Sequence, residues 1–335
     1  MKIGFILTTY PISAKGGVKI QAEMWKVGLE KKGHVVQLLN PWETPDWQSF
    51  DAFVLFDFNS CRSFVQQLSR ENSQIVMAPI IDPKVSPFVY KFFSKYWGCQ
   101  KYLGLSSRFH DLWLVRNLIK MWVVRSDEEF HYVRYCLEIP ENRIKKIPLH
   151  YRIPKIAEMP RKEKFCFHAS RLAASNKNVA RIIEAAKKFG FPLKLAGHLK
   201  GETEFNWLRS LIGDADNIEY VGEVSEDDLL DLYKRAKVFA LPSLQEGVGM
   251  VALEAASYGC EIVLTSYGAP KEYYKGRAIL VNPKSVDEIG AAIIRALDNG
   301  FSQPELKFFV EKNYSESEVM EVLSNCIKEM VKKRR

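Results

Sequence analysis

The run Leu241-Pro242-Ser243-Leu244-Gln245-Glu246-Gly247-Val248-Gly249-Met250-Val251-Ala252-Leu253-Glu254 places two carboxylates around a glycine-bearing turn. Before it, Val238-Phe239-Ala240-Leu241 is a short apolar stretch that stops at Pro242. After it, Val251, Ala255 and Tyr258 recur at helical spacing until Gly259. The pattern predicts a strand, a tight loop and a helix N-terminus. The amides of Val248, Gly249 and Met250 would have no helical partner there, and with the helix dipole they would face the ground beyond the strand's carboxyl end, a place for a phosphate. Glu246 in the loop and Glu254 in the early helix can accept hydrogen bonds from hydroxyls. Amides for phosphate and carboxylates for hydroxyls point to a sugar nucleotide.

Two other loops carry related chemistry. Gly16-Gly17 follows the first apolar run and opens a helix patterned on Val18, Ala22, Trp25 and Leu29, and paired glycines there let the backbone approach an anion closely. A simple loop hinge explains the pair equally well. In Ser170-Arg171-Leu172-Ala173-Ala174-Ser175-Asn176-Lys177-Asn178, Arg171 and Lys177 flank a small polar loop, and two cations there could hold a diphosphate as its charge grows in a transition state. Taken alone, two exposed basic residues beside Asn176 or Asn178 as a helix cap is the simpler account.

The elements that must position these residues alternate between short apolar strands and helical patterns along the whole chain. The first half has strand candidates at Lys2–Thr8, His34–Leu39, Ala52–Phe56, Gln74–Ala78, Met121–Val124 and Arg143–Ile147. The second has them at Lys164–Ala169, Pro192–Ala196, Ile218–Val221, Lys237–Leu241, Glu261–Thr265 and Arg277–Val281. This predicts an α/β protein of two doubly wound parallel-sheet domains, with ligands at the strands' carboxyl ends in a cleft between them. At 335 residues the chain exceeds what one core usually serves. Pro148, Pro154 and Pro160 punctuate a basic segment that reads as an interdomain crossing, giving domains at 1–152 and 153–315. A terminal amphipathic helix follows over 316–335, patterned on Val319, Val322, Leu323, Ile327 and Met330.

Composition excludes other classes. The 47% hydrophobic and 26% charged content is that of an ordinary globular protein. The net charge of +8 is spread along the chain, which argues for a solubilising surface and against nucleic acid as partner. Basic and aromatic residues interleave in Tyr90–Trp97 and Arg116–Trp122. Such segments could touch an anionic membrane, although core helix faces with snorkelling lysines have the same pattern and are the simpler reading. The six cysteines are widely spaced, with no C-x-x-C pair, as in a reduced cytoplasmic protein without structural zinc. No leader or bilayer-spanning stretch is evident, so any membrane contact would be peripheral, on the inner face.

Paired glycines after the first strand, an Arg-x5-Lys pair opening the second half and a Glu-x7-Glu pair around a glycine turn occur here in one order. In this the chain resembles the retaining GT-B glycosyltransferases, specifically glycosyltransferase family 4, over nearly its whole length and most strongly over 164–298. The resemblance implies that Gly16 and Gly17 contact donor phosphates through their amides and that Arg171 and Lys177 hold the diphosphate. Glu246 would contact the donor sugar and Glu254 the nucleotide ribose, with Val248, Gly249 and Met250 assisting. Gly197, in Leu195-Ala196-Gly197-His198, and Val221, in Tyr220-Val221-Gly222, match segments lining the nucleotide. The terminal helix resembles one that crosses back to the first domain. Many relatives carry His-Asp after a first-domain strand; here the stretch is Ala78-Pro79-Ile80-Ile81-Asp82, so Asp82 stands without the histidine. His110 is a candidate substitute, though its apolar neighbours favour a structural role, as the strand-start pattern does for His34.

The implied activity is transfer of a sugar, with retention, from a nucleotide-diphosphate donor (UDP-, GDP-, dTDP- or ADP-sugar) to a hydroxyl of a glycan, glycolipid or other acceptor, in glycan, polysaccharide or glycolipid biosynthesis. No prosthetic group or metal is expected. A nucleotide-sugar 2-epimerase or a non-catalytic sugar-nucleotide-binding protein are the alternative readings.

Overall fold

The computed structural model describes residues 1–8, 17–40, 45–58, 62–81, 86–96 and 108–332. The chain divides into two compact units, Met1–Leu149 with Glu316–Arg335, and His150–Ser315. Each is built on a six-stranded sheet whose pairings are all parallel.

In the first unit, β1 (Lys2–Leu7), β2 (Val35–Leu39), β3 (Ala52–Phe56), β4 (Ile75–Ala78), β5 (Met121–Val124) and β6 (Ile144–Lys146) lie in the order β2-β1-β3-β4-β5-β6. Its helices are α1 (Gly17–Lys31), α2 (Arg62–Glu71), α3 (Pro87–Tyr96), α4 (Arg108–Val115) and α5 (Asp127–His131). Strands β3, β4 and β5 are buried at every position, which is why they read as unbroken apolar runs: helices cover both faces of a parallel sheet. The core includes Phe5 edge-on to Phe56 at 5.0 Å, with Trp25 of α1 against the same ring at 5.4 Å.

The terminal helix α12 (Glu316–Lys332) belongs to this unit and packs on α1. Gly28 of α1 lies against Met320 so closely that a Cβ would overlap the methionine side chain. His34 donates or accepts a 2.8 Å bond through Nε2 to Ser324 Oγ, a buried structural contact. The buried face comprises Val319, Met320, Leu323 and Ile327, so Met320 replaces the predicted Val322, which is 50% exposed. Val322 lies on the helix face turned away from α1.

In the second unit, β7 (Glu163–Ala169), β8 (Leu193–Ala196), β9 (Ile218–Gly222), β10 (Ala236–Leu241), β11 (Glu261–Thr265) and β12 (Ile279–Val281) take the order β12-β11-β10-β7-β8-β9. Helices α6 (Val179–Phe189), α7 (Gly201–Ile212), α8 (Glu226–Arg235), α9 (Met250–Ser257), α10 (Val286–Asn299) and α11 (Glu305–Asn313) complete it. Chain order reverses between β7 and β10, and loops leaving the carboxyl ends of two such strands diverge and leave a crevice. The crevice therefore lies between the loops after Ala169 and after Leu241.

Candidate functional site

Both polar loops of the second half emerge at that reversal. The loop after β7 carries Arg171 and Lys177, and the loop after β10 carries Glu246, Val248 and Gly249. Lys177 Nζ lies 2.7 Å from Glu246 Oε2, with the two side chains 21% and 12% exposed. Ser243 Oγ donates to the same carboxylate oxygen at 2.9 Å. Backbone pairing joins the loops as well: Leu244 N donates to Asn176 O at 2.8 Å, and Asn176 Nδ2 to Gln245 O at 3.1 Å. A cation and an anion thus share one small, partly open space.

Asn178 anchors the arrangement. Its backbone is left-handed (φ 61°, ψ 32°), and its side-chain amide donates to Pro242 O at 2.8 Å and Pro283 O at 2.6 Å. It sits at the cap position of α6, yet its side chain does not cap the helix. It ties the β7 loop to the loops following β10 and β12 instead, because those two carbonyls would otherwise be buried without donors.

Gly249 closes the turn with φ 73° and ψ 51°, a conformation glycine adopts at no steric cost. α9 begins immediately after it. Among the described residues, no carbonyl accepts from the amides of Val248, Gly249 or Met250. They therefore remain available at a helix N-terminus, where an anion is favoured. Arg171 is exposed and makes no ion pair among the described residues, so its guanidinium is likewise uncommitted.

Glu254, one turn into α9, is fully buried. Its Oε1 accepts from Arg152 Nε at 2.7 Å, while Oε2 has no hydrogen-bond partner. Burial pushes the carboxyl up from its ordinary range, opposed by the Arg152 guanidinium. Burial disfavours the Arg152 cation in turn, but the hydrogen bond and charge of Glu254 outweigh it and hold the guanidinium up. The Tyr233 hydroxyl lies within electrostatic reach of the carboxylate without closing a bond of ordinary geometry. Arg152 carries no motif and is paired with a residue 102 positions away, so the sequence offered no signal for it.

His168, in the last turn of β7, was also unmarked. Its Nδ1 lies 2.8 Å from Ala240 O and must donate, since a carbonyl only accepts. Nε2 is therefore the acceptor for Ser170 Oγ at 2.7 Å. Burial, with a smaller contribution from Lys177, pulls this imidazole down to about 4 and keeps it neutral. It buttresses the strand end from which the Arg171 loop departs.

Gly197 follows β8 with φ 151°, and a Cβ there would overlap Ser170 O. Tyr220 donates from its hydroxyl to Gly197 O at 3.0 Å, and Val221 follows half-buried in β9, so the β7, β8 and β9 ends are packed together. Asp214-Ala215-Asp216 has the Asp-x-Asp spacing of a metal-binding pair, but it lies in the turn leading into β9, at the sheet's amino-terminal edge. Among the described residues, no three His, Cys, Asp or Glu side chains cluster as metal ligands.

In the first unit, Gly17 opens α1, exposed and with open space where a side chain would project. Gly16 and Asp82 lie outside the described residues. The backbone leading to Asp82 is held by a buried ion pair: Glu129 accepts from Ile81 N (2.7 Å), Arg125 N (2.7 Å) and Arg125 Nε (3.1 Å). Ile80, in this segment, takes φ 51°. His110 bonds through Nδ1 to Ser94 O at 2.9 Å and stacks on Trp113, which fits the structural role.

Residues 152–315 match the family model described as glycosyl transferases group 1. The O-antigen chain mannosyltransferase B of Escherichia coli is 30% identical over 130 residues, 37% of this chain and 34% of that protein, so the chain spans about a third of this relative's length. Sucrose-phosphate synthase from Thermosynechococcus elongatus superposes with a TM-score of 0.74 at 15% identity, covering 98% of both chains. A structure described as trehalose-6-phosphate from E. coli bound with UDP-2-fluoro glucose does so with 0.67 at 12% identity, over 97% and 99%. Over residues 152–315, nearly all of its second unit, the chain matches the glycosyl transferases group 1 family, and its two parallel six-stranded sheets are those of the GT-B fold.

Proposed function

We propose that the protein transfers a sugar from a nucleoside-diphosphate donor to an acceptor hydroxyl on a glycan or glycolipid, with retention of configuration. The observation that carries this reading is the Lys177–Glu246 pair at 2.7 Å beside the uncommitted amides of Val248 to Met250. One place offers an ammonium and helix amides for the diphosphate and a carboxylate for sugar hydroxyls. A relative that is a mannosyltransferase and a solved neighbour bound with UDP-2-fluoro glucose support this reading.

The C1–O bond to the diphosphate breaks as the acceptor oxygen approaches the same face of the sugar. The departing phosphate oxygen takes the acceptor's proton, so no protein base is required. Arg171, Lys177 and the α9 amides stabilise the charge developing on the diphosphate, and such preorganised donors typically contribute about 10²–10³ each. These cations supply the positive charge that a divalent ion would otherwise bring, so we propose metal independence. Glu254 would receive a ribose hydroxyl on its unpartnered Oε2, which is buried and has to be uncovered as the donor enters, with Arg152 fixing the other oxygen.

The test incubates the protein with UDP-, GDP-, dTDP- and ADP-sugars and a panel of glycan and glycolipid acceptors, with and without EDTA. Nucleoside diphosphate release with an α-linked product from an α-donor, unchanged by EDTA, is expected. Isomerised donor without a new glycoside would overturn the reading in favour of an epimerase, and tight donor binding without turnover in favour of a sensor.

A further inference from the structure

α3 divides cleanly by burial. Tyr90 and Ser94 face the core, while Phe88, Phe92 and Tyr96 are 72%, 49% and 54% exposed. At about 100° per residue, positions i, i+4 and i+8 fall within an arc of about 80°, so the three rings form one stripe along the helix. Phe92 and Tyr96 pack on each other at 5.6 Å. Three large aromatic side chains held outward on one short helix are an apolar patch that a soluble surface normally avoids.

The surroundings are basic. Lys91 and Lys95 lie about 20–60° to one side of the stripe, sharing Glu138 at 3.4 and 3.2 Å. Lys91 also sits over the ring of Tyr135, itself 40% exposed, 4.4 Å from its centre. A hollow beside them is lined by Lys91, His131, Arg134, Tyr135 and Glu138. Three permanent cations against one carboxylate leave the aromatic stripe flanked by surplus positive charge. No described helix is long and apolar enough to cross a membrane, so the patch suits a surface that is entered only to headgroup depth.

We propose that the exposed face of α3 docks on an anionic lipid bilayer, its aromatic rings at the acyl boundary and Lys91, Lys95 and Arg134 at the headgroup phosphates. Charge complementarity selects this occupant: headgroup phosphates match the positive charge of Lys91, Lys95 and Arg134 that Glu138 alone does not balance, whereas a neutral apolar partner would not. α3 starts six residues after Ile81 at the carboxyl end of β4, the sheet edge where parallel α/β units receive ligands. Docking would hold this unit at the bilayer, whether or not transfer is the reaction.

The test is co-sedimentation of the full chain with phosphatidylcholine vesicles containing phosphatidylglycerol, and with phosphatidylcholine alone, at low and high salt. The wild type should bind the anionic vesicles and be released by salt, and the combined F88S/F92S/Y96S variant should partition about tenfold less while keeping its circular dichroism and thermal midpoint. Lys91→Gln with Lys95→Gln should reduce the salt dependence. Equal partitioning of wild type and triple-serine variant, or no binding to phosphatidylglycerol vesicles, would overturn the proposal. So would a lipid-free dimer, seen by analytical ultracentrifugation, that the triple-serine variant abolishes, since that assigns the face to a second copy.

Discussion

Lys177 and Glu246 are 69 residues apart in sequence and 2.7 Å apart in space, and each limits what the other can do. Removing the carboxylate leaves the ammonium free for phosphate, so Glu246→Ala should lower kcat/KM about 10²-fold while nucleoside-diphosphate affinity, by calorimetry, holds or tightens. Lys177→Ala should weaken that affinity about tenfold or more, a lost charge-assisted bond. His168 gives a pH signature. Its folded value of about 4 lies below the unfolded value of 6.5, so the unfolded chain binds the extra proton between them. Stability is complete above pH 6.5 and falls as pH drops toward 4, by about 3 kcal/mol if no other group compensates. Urea titrations of His168→Gln should show a flatter acid limb. Glu254 has the opposite sign: its raised folded value means the folded state holds the proton longer, so its presence costs stability as pH rises past the ordinary carboxyl range. Arg152→Ala should enlarge that cost and destabilise by about 2 kcal/mol, less than a fully buried pair because the Arg152 side chain is one-third exposed. At this scale the sequence marked Glu246 by type and spacing, and Lys177 and Arg171 through the family resemblance. It gave nothing on Arg152, Ser243 or His168, whose roles rest on contacts made only after folding.

Elements were the most legible level. Each strand candidate coincides with an observed strand to within about two residues, because a parallel strand buried on both faces shows as a short apolar run between loop residues. What spacing could not give was strand order, and order is what puts the β7 and β10 loops side by side. Asn178 ties those two loops together, and Gly197 packs on the first of them. Gly197 has no room for a methyl group and a φ of 151°, so Gly197→Ala should lower the thermal midpoint steeply, with a loss above about 3 kcal/mol. Asn178→Ala should cost about 2 to 3 kcal/mol, since the carbonyls of Pro242 and Pro283 lose their donors, and should loosen the Glu246 loop, measurable as faster amide exchange over 243–249.

For the whole molecule, the chain's last helix belongs to its first unit. Ending the chain at Ser315 would expose the α1 surface around Gly28 and His34 together with the apolar residues beneath Met320 and Leu323. Such a truncation should lower soluble yield and make residues 1–149 unfold at a lower temperature than in the full chain, followed by limited proteolysis. The amphipathic pattern of 316–335 announced a buried face but misassigned Val322 to it, since periodicity defines an arc and only the partner surface decides which edge of the arc is covered. The sequence by itself determined the alternation of strands and helices, the glycine turn and the residue types in the loops after β7 and β10, because these depend on neighbours along the chain. Tertiary structure alone decided that Lys177 meets Glu246, that Arg152 meets Glu254, that His168 stays neutral and that three aromatic rings of α3 point outward. Those outcomes depend on which strands lie adjacent and on what each side chain is shielded from, and no local pattern encodes either.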